Sequence, residues 1–142
     1  MNPYDSAFGG LSARNWHDIG QLRSDVFVVE QACIYPEFDG RDTEPATRHI
    51  WLEAGEQLLA YPRVLDDVDV RRIGRVVTRA EHRGRGLAAG LIMYTLDATR
   101  GPWVLDAQAR LEAWYAGFGF ERQGAQFMDY GIPHVSMRRS RP

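Results

Sequence analysis

A turn rich in glycine and arginine, set between a strand-like and a helix-like segment, limits what this chain can fold into more than any other feature. Residues 72–78 are rich in β-branched side chains, and after a short connection the chain reads Arg-Gly-Arg-Gly-Leu-Ala at residues 83–88. Apolar residues at helical spacing then run to about residue 100, where Gly101-Pro102 marks a stop. A strand, a glycine turn and a helix in this order predict an α/β or α+β domain.

The rest of the chain alternates between the periodicities of strands and helices. Residues 12–29 carry apolar side chains at spacings of three and four, and Ser12 suits the N-cap of a first helix. Two short apolar runs, 49–53 and 58–65, predict a hairpin, in which Pro62 indicates an edge strand or a bulge. The remaining elements are strands at 103–107, 120–123 and 133–138 and a short helix at 109–116. This order predicts a mixed central sheet with helices on both faces.

Composition narrows the classes of protein to which this chain can belong. The chain has 142 residues, a hydrophobic fraction of 44% and a formal net charge of −2. These values fit a single domain over residues 1–142 and give no reason to expect a nucleic acid as partner. No apolar run approaches the ~18 residues that span a bilayer, and no signal peptide is evident. A single cysteine is compatible with a reducing compartment, so we expect a cytoplasmic protein. We also expect no membrane association, and either a monomer or a homodimer.

The glycine turn has the chemistry of an anion-binding site. A helix exposes backbone N–H groups without internal partners in its first turn, and its dipole adds partial positive charge at the same end. Glycine at positions 84 and 86 removes side chains that would hold a ligand away, while Arg83 and Arg85 add charge on either side. This combination predicts a cradle for a phosphate or pyrophosphate group.

Several interpretations of the turn compete. A bare strand-to-helix turn needs neither two glycines nor two arginines. A dinucleotide fingerprint, G-x-G-x-x-A, is matched from Gly84 to Ala89 with Asp106 farther along, but residues 79–82 separate the glycine from the strand. Coenzyme A would use the same cradle for its pyrophosphate, whereas the missing Gly-Lys-Ser/Thr ending excludes a nucleoside-triphosphate loop. An RNA-binding module has only the arginine count in its favour.

Two motifs resemble the GCN5-related N-acetyltransferase (GNAT) superfamily. Residues 83–88 are similar to its pyrophosphate loop, and residues 115–120, Tyr-Ala-Gly-Phe-Gly-Phe, are similar to its pattern of a tyrosine, three residues and Gly-Phe. Further segments look like the ElaA-like branch, so that the resemblance covers nearly the whole chain. These segments are Leu22-Arg23, residues 26–31, Asp39-Gly40-x-Asp42, Arg48-His49 and residues 131–134. The resemblance implies the acyl-CoA N-acyltransferase fold, acetyl-CoA as donor and a bacterial cytoplasmic setting.

The resemblance also implies which residues hold the coenzyme. The strand backbone at Val76, Val77 and Thr78 would pair with the pantetheine arm. The pyrophosphate would be held by the loop that consists of Arg83, Gly84, Arg85, Gly86, Leu87 and Ala88. Gln108 stands where many members have an asparagine that contacts the coenzyme.

For the reaction, we expect a primary amine to attack the thioester directly in a ternary complex, with a main-chain N–H of residues 76–78 stabilising the oxyanion. Tyr115 stands where many members have the acid that protonates the departing thiolate, although a tyrosine among other aromatic side chains would also suit a core. Candidate bases for the amine proton are Glu30, Asp39, Asp42, His49 and His134. Asp39 and Asp42 lie beside Gly40, where a turn explains them equally well. Cys33 has no residue spaced to activate it, so we expect no acyl-enzyme.

The acceptor is expected to be a small-molecule or peptide amine. The loop that would border its cleft is acidic, which favours a cationic amine. The acidic residues are Glu30, Glu37, Asp39, Asp42 and Glu44. No metal is expected, because histidines and carboxylates lack metal-ligand spacing. Two alternatives stay open: a non-catalytic CoA-binding or regulatory protein on the same fold, and a nicotinamide-dependent oxidoreductase.

Overall fold

An eight-stranded mixed sheet forms the frame of the computed structural model, which describes residues 1–32 and 36–140. The strands are β1 (Tyr4–Ser6), β2 (Arg48–Ala54), β3 (Gln57–Asp66), β4 (Arg71–Thr78), β5 (Trp103–Gln108), β6 (Glu121–Arg122), β7 (Phe127–Asp129) and β8 (Ile132–Arg139). Their order across the sheet is β1-β2-β3-β4-β5-β8-β6, and β7 also pairs with β8. Neighbours are antiparallel except β4 and β5, which are parallel. The predicted mixed sheet is confirmed.

Three α-helices pack on this sheet within the described part of the chain: α1 (Ala13–Arg23), α2 (Leu87–Ala98) and α3 (Glu112–Ala116). Ser12 is the N-cap of α1, as its sequence position predicts, and its hydroxyl accepts a 3.0 Å hydrogen bond from the Asn15 amide. The helix then widens into π-helical turns over Ser24–Glu30. Short 3₁₀ turns lie at Phe8–Gly10, Ala80–His82 and Ala109–Leu111.

Alternation along the strands places α1 and α2 on opposite faces. Trp51 and Tyr61 pack with Ile19 and Leu22 of α1, whereas the next residues along the same strands pack with Leu91 of α2. These next residues are Ile50, Leu52 and Ala60. Farther along, β5 and β8 bury one face against α2 and α3. Their other face is polar and forms the floor of an open cleft.

Pro62 lies at a bulge, but not at an edge. β3 is an interior strand between β2 and β4, so the edge alternative is wrong. Tyr61 pairs with Val77 and Arg63 with Gly74, so two residues of β4, Arg75 and Val76, oppose the one residue Pro62. The proline is accommodated because its missing N–H falls where the ladder is already interrupted.

Two strands were not predicted from the sequence. β1 and β7 have three residues each, which is too short for period-two alternation to stand out. Both depend on a longer neighbour: Tyr4–Ser6 pairs with β2, and Phe127–Asp129 pairs with β8. Their existence therefore follows from tertiary pairing rather than from local pattern.

Candidate active site

A cleft opens where the two parallel strands separate. Within the described residues, β4 and β5 pair only at Arg71 with Trp103 and at Arg72 with Val104. Beyond these pairs the strands part, and a cleft of about 500 Å³ lies between their carboxyl-terminal halves. Backbone groups of β4 that face β5 there lack a strand partner, so they are available to a ligand.

The predicted pyrophosphate turn lies at the mouth of this cleft. Gly84 and Gly86 have φ angles of 79° and 75°, and Gly86 is the N-cap of α2 without a side-chain hydrogen bond. No heavy atom lies within 4 Å of the position that a Cβ would take at either glycine. Arg83 and Ala88 line the cleft itself. The first-turn amides of α2 are thus unhindered next to the cleft.

Both arginines of the turn are held by neighbouring side chains. Arg83 makes two hydrogen bonds of 2.7 and 2.9 Å with the Glu30 carboxylate and donates to the Thr78 carbonyl at 3.2 Å. Arg85 lies 3.2 Å from Nδ1 of His82. The hydrogen bond from Arg83 lowers the pKa of Glu30, so this predicted base is a paired carboxylate at the cleft rim.

Tyr115 places a hydroxyl in the cleft from a buried ring. The side chain is 5% exposed and packs edge-on against Trp114 and Phe120. It lines the cleft, and its hydroxyl has no hydrogen-bond partner among the described residues. Burial raises the pKa of Tyr115, so the hydroxyl keeps its proton at neutral and moderately alkaline pH.

The other predicted coenzyme contacts border the same space. Val76, Val77 and Thr78 line the β4 side, and Gln108 lines the β5 side. The Gln108 amide donates to the Gln31 side chain at 3.2 Å, which ties the end of β5 to the end of the π-helical segment. The cleft therefore brings together residues that are about thirty positions apart in the sequence.

His134 is the predicted base that the structure places in the cleft with a free nitrogen. It lies on β8 opposite Gln108 and stacks on Phe127 at a centroid distance of 5.9 Å. Its Nδ1 is 2.7 Å from the Ile132 carbonyl, which can only accept a hydrogen bond. Nδ1 therefore carries the proton, and Nε2 holds a lone pair in the neutral ring.

His49 is a correction to the predicted site. The ring is completely buried between α1 and the sheet and does not line the cleft. Its Nδ1 is 2.6 Å from the Tyr61 hydroxyl, and its Nε2 is 2.9 Å from the Asp42 carbonyl. Burial lowers the pKa of His49 and outweighs the attraction of Asp42. The histidine is a hydrogen-bonded core residue, which an alternating strand pattern cannot distinguish from a cleft residue.

The acidic loop, which was expected to favour a cationic amine at the acceptor cleft, also differs from that expectation. Its carboxylates are paired with arginines: Glu37 with Arg23 and Arg75, and Asp42 with Arg23 and Arg63. Burial alone would raise the pKa of Asp42, but Arg23 and Arg63 outweigh it and lower the pKa. The same balance, with Arg63 as the principal partner, lowers the pKa of Asp39. These carboxylates are structural, and they do not give the cleft a negative charge.

Asp129 and Arg110 were not singled out from the sequence, and Asp106 was considered there only as part of a dinucleotide fingerprint. Asp129 and Arg110 line the cleft, and neither side chain has an ion-pair partner among the described residues. Asp106 accepts a 2.7 Å hydrogen bond from Ser136 and lies 3.8 Å from Arg72. The strand alternation of β5 was the available signal for Asp106, because a polar residue between Leu105 and Ala107 marks the face opposite the core.

Two further features concern cofactors and membranes. Over residues 1–32 and 36–140, no three His, Cys, Asp or Glu side chains converge in a metal-binding group. No helix in the same residues is long and apolar enough to cross a bilayer. Cys33, for which we expected no acyl-enzyme role, lies outside the described residues.

Comparison with known proteins identifies the architecture. Residues 20–141 match the model of a family described as an acetyltransferase (GNAT) domain. A UPF0039 protein of Mycobacterium tuberculosis is 44% identical over 135 residues, which cover 91% of this chain and 86% of that protein. Protein ElaA of Escherichia coli is 37% identical over 137 residues, covering 91% of this chain and 90% of that protein.

This chain belongs to the GNAT family, in its ElaA-like branch.

Solved structures agree with the family. The crystal structure of Escherichia coli ElaA has a TM-score of 0.93 at 34% identity. The match covers 99% of this chain and 100% of that chain. An acyl-CoA N-acyltransferase from Pseudomonas aeruginosa also has a TM-score of 0.93, at 36% identity, with 99% of this chain and 100% of that chain covered. This ElaA-like chain therefore has the GNAT fold, and its family supports the activity of an acyl-CoA N-acyltransferase. The dinucleotide alternative fails on topology, because the sheet has one parallel pair and a 3₁₀ turn, Ala80–His82, precedes the glycines.

Proposed function

We propose that this ElaA-like chain is an acetyl-CoA-dependent N-acetyltransferase that passes the acetyl group directly to a primary amine in a ternary complex. The observation that carries the proposal is the cleft between β4 and β5, which is lined by Tyr115, a buried side chain whose hydroxyl has no hydrogen-bond partner among the described residues. A hydroxyl at a cleft that no protein group engages is free to bond a substrate atom.

The residues at the cleft mouth fit a diphosphate-containing coenzyme. The Gly84–Gly86 turn is open, and the first amides of α2 have no side-chain cap. Arg83 would exchange Glu30 for a phosphate oxygen, and Arg110 is a further cation in the cleft that has no ion pair with the described part of the chain. Val76, Val77, Thr78 and Gln108 border the path along which the coenzyme arm would lie. The coenzyme supplies the thioester whose acyl group is transferred.

The proton transfers can be assigned to two side chains. His134 Nε2 takes the proton that the amine loses as its nitrogen forms the bond to the acyl carbon. A main-chain N–H at residues 76–78 donates to the carbonyl oxygen, which gains charge in the transition state. Tyr115 gives its proton to sulfur as the carbon–sulfur bond breaks. An acceptor that arrives as an ammonium ion first releases one proton to solvent and attacks as the neutral amine. The proton that His134 then gains balances the proton that Tyr115 gives.

The charges of the cleft favour an acceptor amine that arrives as a cation. Arg63, Arg72 and Arg75 are each paired with carboxylates, so they offer little positive charge to a ligand. Asp129 lacks an ion pair within the described residues, and Asp106 has a hydrogen bond from Ser136 and a long ion pair of 3.8 Å with Arg72. Both lie beside the β8 face that carries His134. A carboxylate on each side of the base would attract an ammonium group.

Thiol release from acetyl-CoA, measured with a panel of cationic, neutral and anionic primary amines, tests the proposal. We expect release above the amine-free background, fastest with cationic amines and slower with longer acyl donors. The His134→Gln variant should lower kcat by about 100-fold. His17→Gln, at an exposed position on α1, serves as the control and should leave kcat unchanged.

The alternative of a non-catalytic coenzyme-binding protein has its own signature. If calorimetry shows that CoA binds but no amine in the panel causes thiol release, the transferase is rejected in favour of a non-catalytic coenzyme-binding protein. Equal rates for cationic and anionic amines would contradict the assigned acceptor charge while leaving the transferase intact.

A further inference from the structure

The residues that mark the ElaA-like branch include an acidic motif, Asp39-Gly40-x-Asp42, for which the proposed reaction has no use. In the structure this loop forms a buried ion network with α1 and the sheet. Arg23 is completely buried and donates at 2.7 Å to both Glu37 and Asp42. Such a network is expensive to bury, so its position relative to the cleft is informative.

The network reaches β4 at Arg75, which pairs with Glu37 at 2.9 Å and with Asp39 at 3.5 Å. Glu37, 5% exposed, accepts at Oε2 from Arg23 Nε at 2.7 Å and from Arg75 Nε at 2.9 Å. Its main-chain carbonyl accepts from the guanidinium groups of the same two arginines, at 3.0 and 3.1 Å. Glu37 therefore ties α1 to β4 with four hydrogen bonds.

The β4 residue in this tie is the one that forms the bulge. Arg75 has a φ angle of 52°, in the left-handed region that residues with a Cβ rarely adopt. Arg75 and Val76 together oppose Pro62, which has no N–H to offer. Neither a glycine nor a continuous ladder holds the bulge, whereas the Arg75 side chain is anchored in the buried network.

The bulge controls which amides face the cleft. Successive peptide groups of a strand point their N–H alternately to either side, and one extra residue shifts that alternation from Val76 onward. Residues 76–78 are those whose amides would pair with the coenzyme arm and stabilise the oxyanion. A relaxed bulge would turn the wrong amides toward the thioester.

We propose that Glu37 and Arg75 are positioning residues: their ion pair holds the β4 bulge in its left-handed conformation and so sets which amides of residues 76–78 face the cleft and which face β3. The proposal rests on the proposed function for its kinetic consequence. Its structural part, an ion pair that maintains a backbone conformation, is independent of the reaction.

A pair of variants that differ by one methyl group tests this role. Arg75→Ala and Arg75→Gly both remove the guanidinium, but only alanine retains the Cβ that disfavours φ near +52°. We expect kcat of Arg75→Ala to fall about tenfold and that of Arg75→Gly to stay at least about threefold higher, on the scale of the left-handed penalty. KM for acetyl-CoA should change less than kcat in both variants. Equal losses in the two variants would mean that the guanidinium acts directly on a substrate and would overturn the proposal.

Glu37→Gln removes the charge and leaves Arg75 in place. We expect a loss of kcat similar to that of Arg75→Ala, with partial recovery in the double variant Glu37→Gln, Arg75→Gly. Glu44→Gln is the matched control, because Glu44 pairs with Arg41 in the same loop, whereas Glu37 pairs with Arg75 of β4. It should leave kcat unchanged. No recovery in the double variant would contradict a role that acts through the bulge.

Amide chemical shifts and hydrogen exchange of residues 76–78 decide the question without an assay. Arg75→Ala should shift these resonances and speed their exchange, and Arg75→Gly should alter them less. If the wild-type chain transfers no acyl group to any amine, the proposed function fails, while the amide comparison still tests whether the Glu37–Arg75 ion pair holds the bulge. Unchanged amide shifts and exchange rates in Arg75→Ala would overturn this role of the ion pair even in an active enzyme.

Discussion

At the scale of single residues, environment assigns different roles to side chains of the same type. Tyr61 and Tyr115 are both buried tyrosines. The Tyr61 hydroxyl is hydrogen-bonded to His49 in the core, while the Tyr115 hydroxyl has no partner among residues 1–32 and 36–140 and its side chain lines the cleft. His49 and His134 differ in the same way, since only His134 keeps a free ring nitrogen. A partner that is missing inside the protein is what separates the candidate catalytic member of each pair from the structural one.

Replacement of Tyr115 by phenylalanine removes the proposed proton donor and little else. We expect Tyr115→Phe to lower kcat by about 100-fold, the usual size of a general-acid contribution, with coenzyme affinity by calorimetry within about twofold of wild type. Because burial raises the pKa of Tyr115 above its usual value near 10, the wild-type rate should not decline through loss of this proton below about pH 10.

Tyr94→Phe is the matched control for that substitution. Its hydroxyl donates to Asp5 of β1 at 2.8 Å, and the side chain is not part of the cleft lining. It should leave kcat unchanged. A Tyr115→Phe enzyme with full kcat would remove the acid role from this residue and leave it as a core aromatic.

At the scale of elements, the turn before α2 joins backbone geometry to charge. Two left-handed glycines start the helix, and Arg83 and Arg85 flank its first turn. The double variant Arg83→Gln, Arg85→Gln should weaken CoA binding on the order of tenfold, because charge-assisted hydrogen bonds to phosphate are lost. Calorimetric titrations at low and high salt should show a smaller salt dependence in the variant than in the wild type.

Arg100→Gln controls for the loss of charge, since Arg100 is exposed beyond the far end of α2. Its CoA affinity should match the wild type. An unchanged affinity in the double variant would show that the turn does not hold the coenzyme.

The link between α1 and residues 36–47 is a second element-scale device. Arg23 pairs with Glu37 and Asp42 and lies over the rings of Trp16, Phe38 and Tyr61 at 5.4–5.9 Å. Arg23→Met would leave two buried carboxylates without their common partner. We expect the free energy of unfolding in urea to fall by about 3 kcal/mol or more.

The control for Arg23→Met is Arg122→Met. Arg122 pairs with Glu112 at 3.4 Å on the surface, where the loss should be below about 1 kcal/mol. Similar losses in the two variants would mean that the buried network contributes no more to stability than a surface pair.

At the scale of the whole molecule, a buried neutral histidine makes stability depend on pH. The pKa of His49 is lower in the folded protein than the value near 6.5 expected when the chain unfolds. Below about pH 6.5 the unfolded chain therefore binds a proton that the folded protein does not, and stability falls as pH falls toward the folded pKa. We expect a slope of at most about 1.4 kcal/mol per pH unit between pH 6.5 and 5, roughly 3 °C in Tm per unit.

His49→Gln should flatten this part of the Tm profile, whatever its Tm at pH 7.5, and His17→Gln at an exposed site should not. Asp39 and Asp42 do not confound the comparison. Their pKa values are lowered in the fold, so their contribution is lost only below about pH 4. An unchanged slope in His49→Gln would assign the pH dependence to other groups.

Local pattern determined a large part of this architecture. The Ser12 cap, the glycine turn with its helix and the Gly101-Pro102 stop each depend on interactions within a few residues, and all three were predicted correctly from the sequence. The glycine–arginine turn could be proposed as a pyrophosphate site for the same reason, because anion binding at a helix N-terminus needs only a short segment. The family resemblance extended this to nearly the whole chain.

The burial and the partners of single residues depend on long-range contacts, and only the tertiary structure decided them. The period-two pattern around His49 was the same for a core residue and for a cleft residue, and only the packing of α1 on the sheet placed it in the core. The acidic loop had the composition of a solvated surface until Arg23, Arg63 and Arg75 neutralised it from three other elements. A sequence specifies the chemistry of each side chain and its local conformation, but burial and partners depend on residues distant in the chain, and these determine which groups remain free to react.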